Sequence, residues 1–283
     1  MVMSQRLLLS HLNPLEWFSR RPRVGVVRLE GVIGLPWPAR SGLSLGSIGG
    51  PLEHAFRLKN LKAVALAINS PGGSATQSSL IAKRVRALAA ERGVPVLAFV
   101  EDVAASGGYW LATAADQIYA DESSIVGSIG VITAGFGFAD LLQRMGIERR
   151  VHTAGPRKAM LDPFRAEQPE DVTRLEEIQQ EIHANFKTQV RERRGSRLKG
   201  ADAELFSGEI WAAREALTRG LIDGIGDLRT ILRSRFGDQV KLVPVTQRRS
   251  WLQRRLRLGL PEGWTEQALA AVEERSLWAR YGL

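Results

Sequence analysis

The chain has 283 residues, 44% apolar and 24% charged, with no cysteine and a formal net charge of +9. This length and composition suit one large or two small globular domains, and they exclude a disordered chain, disulfides and thiolate metal sites. The charge sits at the ends: residues 1–23 carry four arginines against one acid, and residues 247–283 carry seven arginines against four acids, so each end holds +3 and the body 24–246 only +3. Without a groove-reading or base-stacking motif, that distribution argues against nucleic acid as a partner. It fits either solvated termini or peripheral contact with an anionic membrane surface.

At the N-terminal end, "LLLSHLNPLEWF" is broken by Ser10, His11, Asn13 and Pro14, well short of the ~20 apolar residues of a membrane span. It also lacks a long apolar core and a small-residue cleavage site, so neither a transmembrane segment nor a signal peptide is expected. A short interfacial helix, with Leu7, Leu8, Leu12, Leu15, Trp17 and Phe18 on its apolar side, is compatible with the pattern. The expected location is the cytoplasm or the periphery of the inner membrane.

Residues 24–33, "VGVVRLEGVI", read as a strand, followed by a Gly/Pro/Ser loop over 36–50 and a short helix near 51–59. "AVALAIN", 63–69, is an almost unbroken apolar run, as expected of a strand buried on both faces. "SPGG" ends it, a helix follows over 75–91, and Gly93 closes that helix. A strand at 94–100 leads into a helix over 106–115, and "QIYA", 117–120, is a short strand. "SIGVITAGFGF", 128–138, reads as a glycine-interrupted strand, with a helix at 139–145 and a strand at 148–153 after it.

The best-marked helix is 169–194, where Val172, Leu175, Ile178, Ile182, Phe186 and Val190 recur every three or four residues. Acids open it and arginines close it, as the helix dipole favours. Helices at 212–219 and 226–235 and a strand at 240–245 complete an α/β alternation. The expected division is a basic N-terminal segment 1–23, one domain 24–246 and a basic amphipathic tail 247–283.

Three glycine-rich turns and one lysine carry the chemistry. In "NSPGGS", 69–74, Gly72 and Gly73 permit a backbone shape that points a bare N–H into a cleft, although a plain tight turn reads the same way. In "VAASGGYW", 103–110, Ser106 follows a strand and opens a helix. It is either a helix cap or a nucleophile, with the Gly107 N–H placed to receive an oxyanion.

A serine nucleophile needs a base. The last histidine, His183, lies mid-helix, so a Ser–His–Asp triad is poorly supported. Lysine is scarce, seven of 39 basic residues, and Lys158 sits in the loop "TAGPRKAMLDPF" after a predicted strand. A lysine base must be desolvated until its pKa falls from about 10.4 toward neutrality, and Asp162 nearby would oppose that. Alone, Lys158 also reads as an exposed loop residue.

Taken in order, "SPGG", "ASGGYW", "GSIGV", the lysine loop and "ALTRGLIDGIGD", 216–227, resemble peptidase family S49, the signal peptide peptidase A and SohB-like serine peptidases. The resemblance runs from about Val24 to Val245. It implies an α/β ClpP/crotonase-like fold of repeated β-β-α units, here with a basic C-terminal helical tail. It further implies Ser106 as nucleophile, Lys158 as general base, and Gly73 and Gly107 as oxyanion donors. Ser128, in "GSIGV", would position the lysine. No cofactor or metal is implied, the partners are peptide substrates, and the family points to a homo-oligomer that can share its dyad between subunits.

The resulting expectation is a Ser/Lys endopeptidase acting on unfolded or membrane-derived peptides such as signal-peptide remnants. A crotonase-like acyl-CoA enzyme and a non-catalytic scaffold at the membrane surface are the alternatives. Neither requires Ser106 and Lys158 together.

Overall fold

A computed structural model describes residues 21–34, 42–246 and 275–283. The expected interfacial helix within 1–20 and most of the basic tail, 247–274, lie outside the described residues.

The centre is a mostly parallel sheet. Strands β1 (Arg23–Glu30), β2 (Leu61–Ser70) and β3 (Val96–Ala105) lie side by side, and β8 (Lys241–Val245) pairs with the outer edge of β1. On β2, Val64, Leu66 and Ile68 enter the main core while Ala63 and Ala65 enter a second cluster on the opposite face. The strand is buried on both sides, which is why its sequence does not alternate.

Three helices cover the main face: α1 (Leu45–Phe56), α2 (Ala75–Arg92) and α3 (Gly107–Ala112). The helix expected at 51–59 starts six residues earlier. Ser44 and Ser47 form a reciprocal capping box, and Ile48, Leu52, Ala55 and Phe56 bury one stripe, which outweighs the glycines that suggested a loop. Gly93 ends α2 in the left-handed conformation, as expected.

The far edge of β3 is shared by two strands. Its first half pairs with β4 (Gln117–Ala120) and its last three residues with β5 (Ile125–Gly127). At the same level the β2–β3 register shifts between Ile68 and Ser70. The Asn69 side chain bridges that break, donating to Asp102 at 2.5 Å and accepting from the Val103 N–H at 3.3 Å. The end of β3 is thereby turned toward β5, and Ser106 follows directly.

Antiparallel β6 (Ile210–Ala212) joins β5, and β7 (Gly224–Ile225) joins β4. The second face carries α8 (Leu228–Phe236), which contributes Leu232. Short helices α6 (Asp202–Leu205) and α7 (Ala213–Thr218) send Leu205, Ala213 and Ala216 into the main core.

Two expected strands are absent. Residues 128–138 and 148–153 form no ladder, and only the helix α4 (Ala139–Arg144) is regular there. Gly130, Gly135 and Gly137 weaken the first run. Neither run has a strand partner among the described residues. Residues 131–168 instead form an arm of loops and short turns. The Phe138 and Phe164 rings meet tilted, with centroids 5.6 Å apart, and the Phe138 N–H reaches the Pro163 carbonyl at 2.6 Å.

The long helix α5 (Pro169–Arg194) has the predicted bounds, but only its last turns are deeply packed: Phe186, Val190 and Arg194 are buried. Arg194 is 2% exposed and grips Asp223 with two hydrogen bonds of 2.6 and 3.0 Å. Asp223 also accepts from the Ile118 N–H at 2.7 Å, so one carboxylate ties α5 to β4 and to the β7 turn. Burial works against its charge. The Arg194 hydrogen bonds, the Ile118 N–H and nearby Arg197 outweigh burial and hold its pKa below the usual carboxylate range.

Candidate active site

Ser106, directly after β3, has φ 51° and ψ −120°, a backbone shape that residues with side chains rarely take, and its side chain makes no cap bond to α3. The helix-cap reading is therefore not what the geometry favours. Holding such a conformation costs of order 1–3 kcal/mol, and the surroundings enforce it. The Ser106 N–H is held by the Gly127 carbonyl at 2.8 Å, and its own carbonyl starts α3 by accepting from Trp110 at 3.0 Å. The hydroxyl is left uncommitted among the described residues.

The SPGG turn is pinned from the other side. Ile33 donates to the Gly72 carbonyl at 2.8 Å and accepts from the Ser74 N–H at 2.7 Å. The N–H groups on either side are committed, that of Ser74 to the Ile33 carbonyl and that of Gly72 to the Ser70 hydroxyl at 3.3 Å, while the Gly73 N–H has no acceptor among the described residues. Gly73 has φ +135°, and a β-carbon on it would fall 2.0 Å from the Ile33 carbonyl oxygen. Only glycine fits this position.

The two turns meet. A β-carbon on Gly107 would lie 3.4 Å from the Gly73 nitrogen and 2.5 Å from the Ser78 hydroxyl. The Gly107 N–H, at the first residue of α3, also has no acceptor among the described residues. Two free N–H groups thus flank Ser106, the arrangement an oxyanion needs.

Ser106, Gly73 and Gly107 line one cavity of about 630 Å3, and Ser128 lines it with them. Ser128 has φ 52°, its N–H bound to the Glu209 carbonyl at 2.6 Å. Trp110, Ile182 and Phe186 form an apolar wall, with Trp110 and Phe186 stacked at 4.6 Å. Motif reading missed these residues. The periodic stripe of α5 contains Ile182 and Phe186, but nothing in it marks them as cavity residues. His183, on the same helix, holds the Ile129 carbonyl at 3.1 Å behind Ser128. Burial and Lys187 lower its pKa, and the Ile129 and Phe206 carbonyls only partly offset them.

Lys158 is not among the residues lining this cavity. It lies exposed on the arm, in a turn where its N–H bonds the Gly155 carbonyl at 3.2 Å. Asp162, which would compete for it, is bound instead by Arg149 and by the Phe164 N–H at 3.1 Å. Those bonds, Arg149 first, hold the Asp162 carboxyl below its ordinary range. Of the five residues singled out from sequence, the fold gathers four around one cavity and leaves the fifth on the arm.

The arm is strongly apolar outside. Ile132 is 69% and Phe136 82% exposed, and Leu141, Met145, Ile147, Val151 and Phe164 are exposed as well. Monomeric proteins rarely leave so many large apolar side chains contiguous in water.

Among the described residues no helix is long and apolar enough to cross a membrane, and no His/Cys/Asp/Glu group has a metal-binding arrangement.

The sequence model of "Peptidase family S49" matches residues 89–241. That stretch contains Ser106, Gly107, Ser128 and Lys158, and Gly73 precedes it. A Brucella abortus protein named "Na(+)/H(+) antiporter NhaA" is 49% identical over 288 residues, covering 98% of this chain and 39% of that protein. The chloroplastic serine protease SPPA of Arabidopsis thaliana is 35% identical over 171 residues, covering 60% of this chain and 25% of that protein. The chain thus spans well under half of these relatives. A solved structure of a lysine-to-alanine mutant of the 1510-N membrane-bound stomatin-specific protease, in complex with a substrate peptide, has the same fold. It superposes with a TM-score of 0.51 at 15% identity, over 83% of this chain and 96% of that one.

Proposed function

The chain belongs to peptidase family S49, a family of serine peptidases, and on that premise we propose that it is a Ser/Lys endopeptidase whose dyad is completed by a second copy of the chain. Ser106 attacks the peptide carbonyl. The Gly73 and Gly107 N–H groups receive the oxyanion. Lys158 of a neighbouring copy takes the serine proton and returns it to the leaving amine, with the Ser128 hydroxyl orienting the ammonium. The acyl-enzyme is then hydrolysed by the same groups.

The single observation that carries this reading is the strained Ser106 beside two unpaired N–H groups, with φ 51° and no cap bond. A serine used only as a cap has no reason to carry that strain. The shared dyad is supported by the exposed apolar arm that carries Lys158. The substrate class we assign is unfolded peptide, including membrane-derived segments, which suits an open cavity with an apolar wall. The domain is read as residues 24–246, with 247–283 as its basic appendage.

The test is covalent labelling with a fluorophosphonate followed by peptide mapping. The expected adduct is on Ser106, absent in Ser106→Ala. A folded, oligomeric protein that cleaves peptides with Ser106 unlabelled and replaceable would remove this mechanism.

A further inference from the structure

One wall of the Ser106 cavity comes from residues remote in sequence from every motif: Leu277, Arg280 and Tyr281. They belong to the segment Arg275–Leu283, helical over 275–279. Leu277, Trp278 and Tyr281 are half-buried, whereas Arg275, Ser276, Ala279 and Arg280 are exposed. That spacing puts the apolar residues on one helical face. The segment shares its cavity with Trp110, Ile132, Ile182 and Phe186.

An endopeptidase must accept chain on both sides of the scissile bond. With the segment in place, the cavity keeps about 630 Å3 of free space, and a peptide laid along this wall meets Leu277, Arg280 and Tyr281. Substrate and segment therefore compete for the same walls.

We propose that Arg275–Leu283 is an intramolecular occupant of the substrate cleft, restraining the peptidase in cis until a peptide of matching chemistry displaces it. This rests on the cleft being the one assigned above. The matching chemistry is that of the occupant: leucine and aromatic side chains interleaved with arginine. Tethering supplies an effective concentration on the order of millimolar, so even a weak contact keeps the segment seated on the cleft wall in most molecules. The restraint lowers the competent fraction, and an occupancy of about 90% corresponds to a tenfold loss of apparent activity.

The full chain carrying Leu277→Asp and Tyr281→Asp is compared with the unaltered chain. Ser106 labelling by fluorophosphonate and kcat/KM on an apolar peptide should both rise about tenfold, with the thermal midpoint unchanged. An unchanged rate would make the segment a bystander, and a lower rate would make it a working wall of the substrate site. Either result overturns the proposal.

A second measurement needs no catalysis. A fluorescent peptide of sequence RSLWARYGL is titrated into the Ser106→Ala full chain, with and without the two aspartates. It should bind about tenfold tighter when the chain's own segment carries them, because the tethered competitor is gone. Equal affinity overturns the proposal. If that difference holds while Ser106 is never labelled in any variant, occupancy stands and the peptidase reading fails.

Discussion

A β-carbon placed on Gly72 would lie 2.8 Å from the β-carbon of Ser106 and 2.9 Å from the Ala105 carbonyl oxygen. The two glycine-rich turns therefore pack backbone against backbone, and the missing side chains set the distance between nucleophile and oxyanion donors. Gly72→Ala and Gly73→Ala should each lose Ser106 labelling by at least about a hundredfold, the effect of misplacing one oxyanion donor. Each should also destabilise the fold by about 1–3 kcal/mol through its positive φ. Gly50→Ala, on α1 with no atom within 4 Å of the added carbon, is the control. It should keep full labelling and gain roughly 0.5–1 kcal/mol. Labelling rates and thermal melts on the three variants check this.

How far the sequence carried the reading follows from which forces were local. The apolar run on β2, the capped and periodic α5 and the Gly93 stop each encode their element in a few neighbouring residues, and each is where it was expected. The site turns were legible because glycine and serine are required there by backbone shape. Residues 128–138 carry the apolar, β-branched content of a strand, whereas a strand also needs a partner edge, and among the described residues there is none. The placing of Leu277 and Tyr281 against the Ser106 cavity was illegible for a related reason: it depends on a contact about 170 residues away in sequence, with no periodic signal to announce it.

The choice of lysine over arginine at 158 can be tested chemically. Arginine stays protonated at any working pH and cannot accept the serine proton. Lys158→Arg keeps charge and length, so oligomer mass and thermal midpoint should be unchanged while kcat falls by at least about a hundredfold, as for loss of a general base. Lys158→Ala should fall as far. His183→Ala should retain most of the activity, since its ring holds the Ile129 carbonyl rather than Ser106. Peptide turnover by Lys158→Arg within a few fold of the unaltered chain would take this side chain out of the reaction.

Asp223 governs stability rather than chemistry. Its pKa is depressed in the fold, so its contribution is fully present above the unfolded carboxylate value and is lost as pH falls through the lower folded value. Thermal stability should therefore hold from neutrality down to about pH 4 and decline below it. Asp223→Ala leaves the buried Arg194 unpaired and should cost about 3–5 kcal/mol. It should also flatten the acid limb of the stability curve. Melts between pH 3 and 7 on both proteins measure this. An acid limb of equal depth in the variant would assign it to other carboxylates.

The proposed sharing of the dyad makes the most specific demand. Lys158 is exposed on an arm whose outer side chains, Phe136 and Ile132 above all, are exposed as well. Docking that arm on a second copy would cover the apolar surface and strip water from the lysine, which disfavours its charged form. The same step would deliver the amine to a cavity that already holds Ser106, Ser128 and the two N–H donors. Ser106→Ala and Lys158→Ala are each expected to be inactive and folded. Mixed under conditions that exchange subunits, they should regain activity, because some assembled sites then combine an intact serine from one copy with an intact lysine from the other. For a symmetric dimer at equal mixing, half the assemblies are mixed and each holds one intact site of two, so about a quarter of the native rate should return at full exchange. Phe136→Asp, placed on the arm but not in the site, should weaken assembly and lower activity in a way that rising protein concentration reverses. Native mass spectrometry confirms exchange. If mixed assemblies form and no activity returns, the dyad is built within one chain.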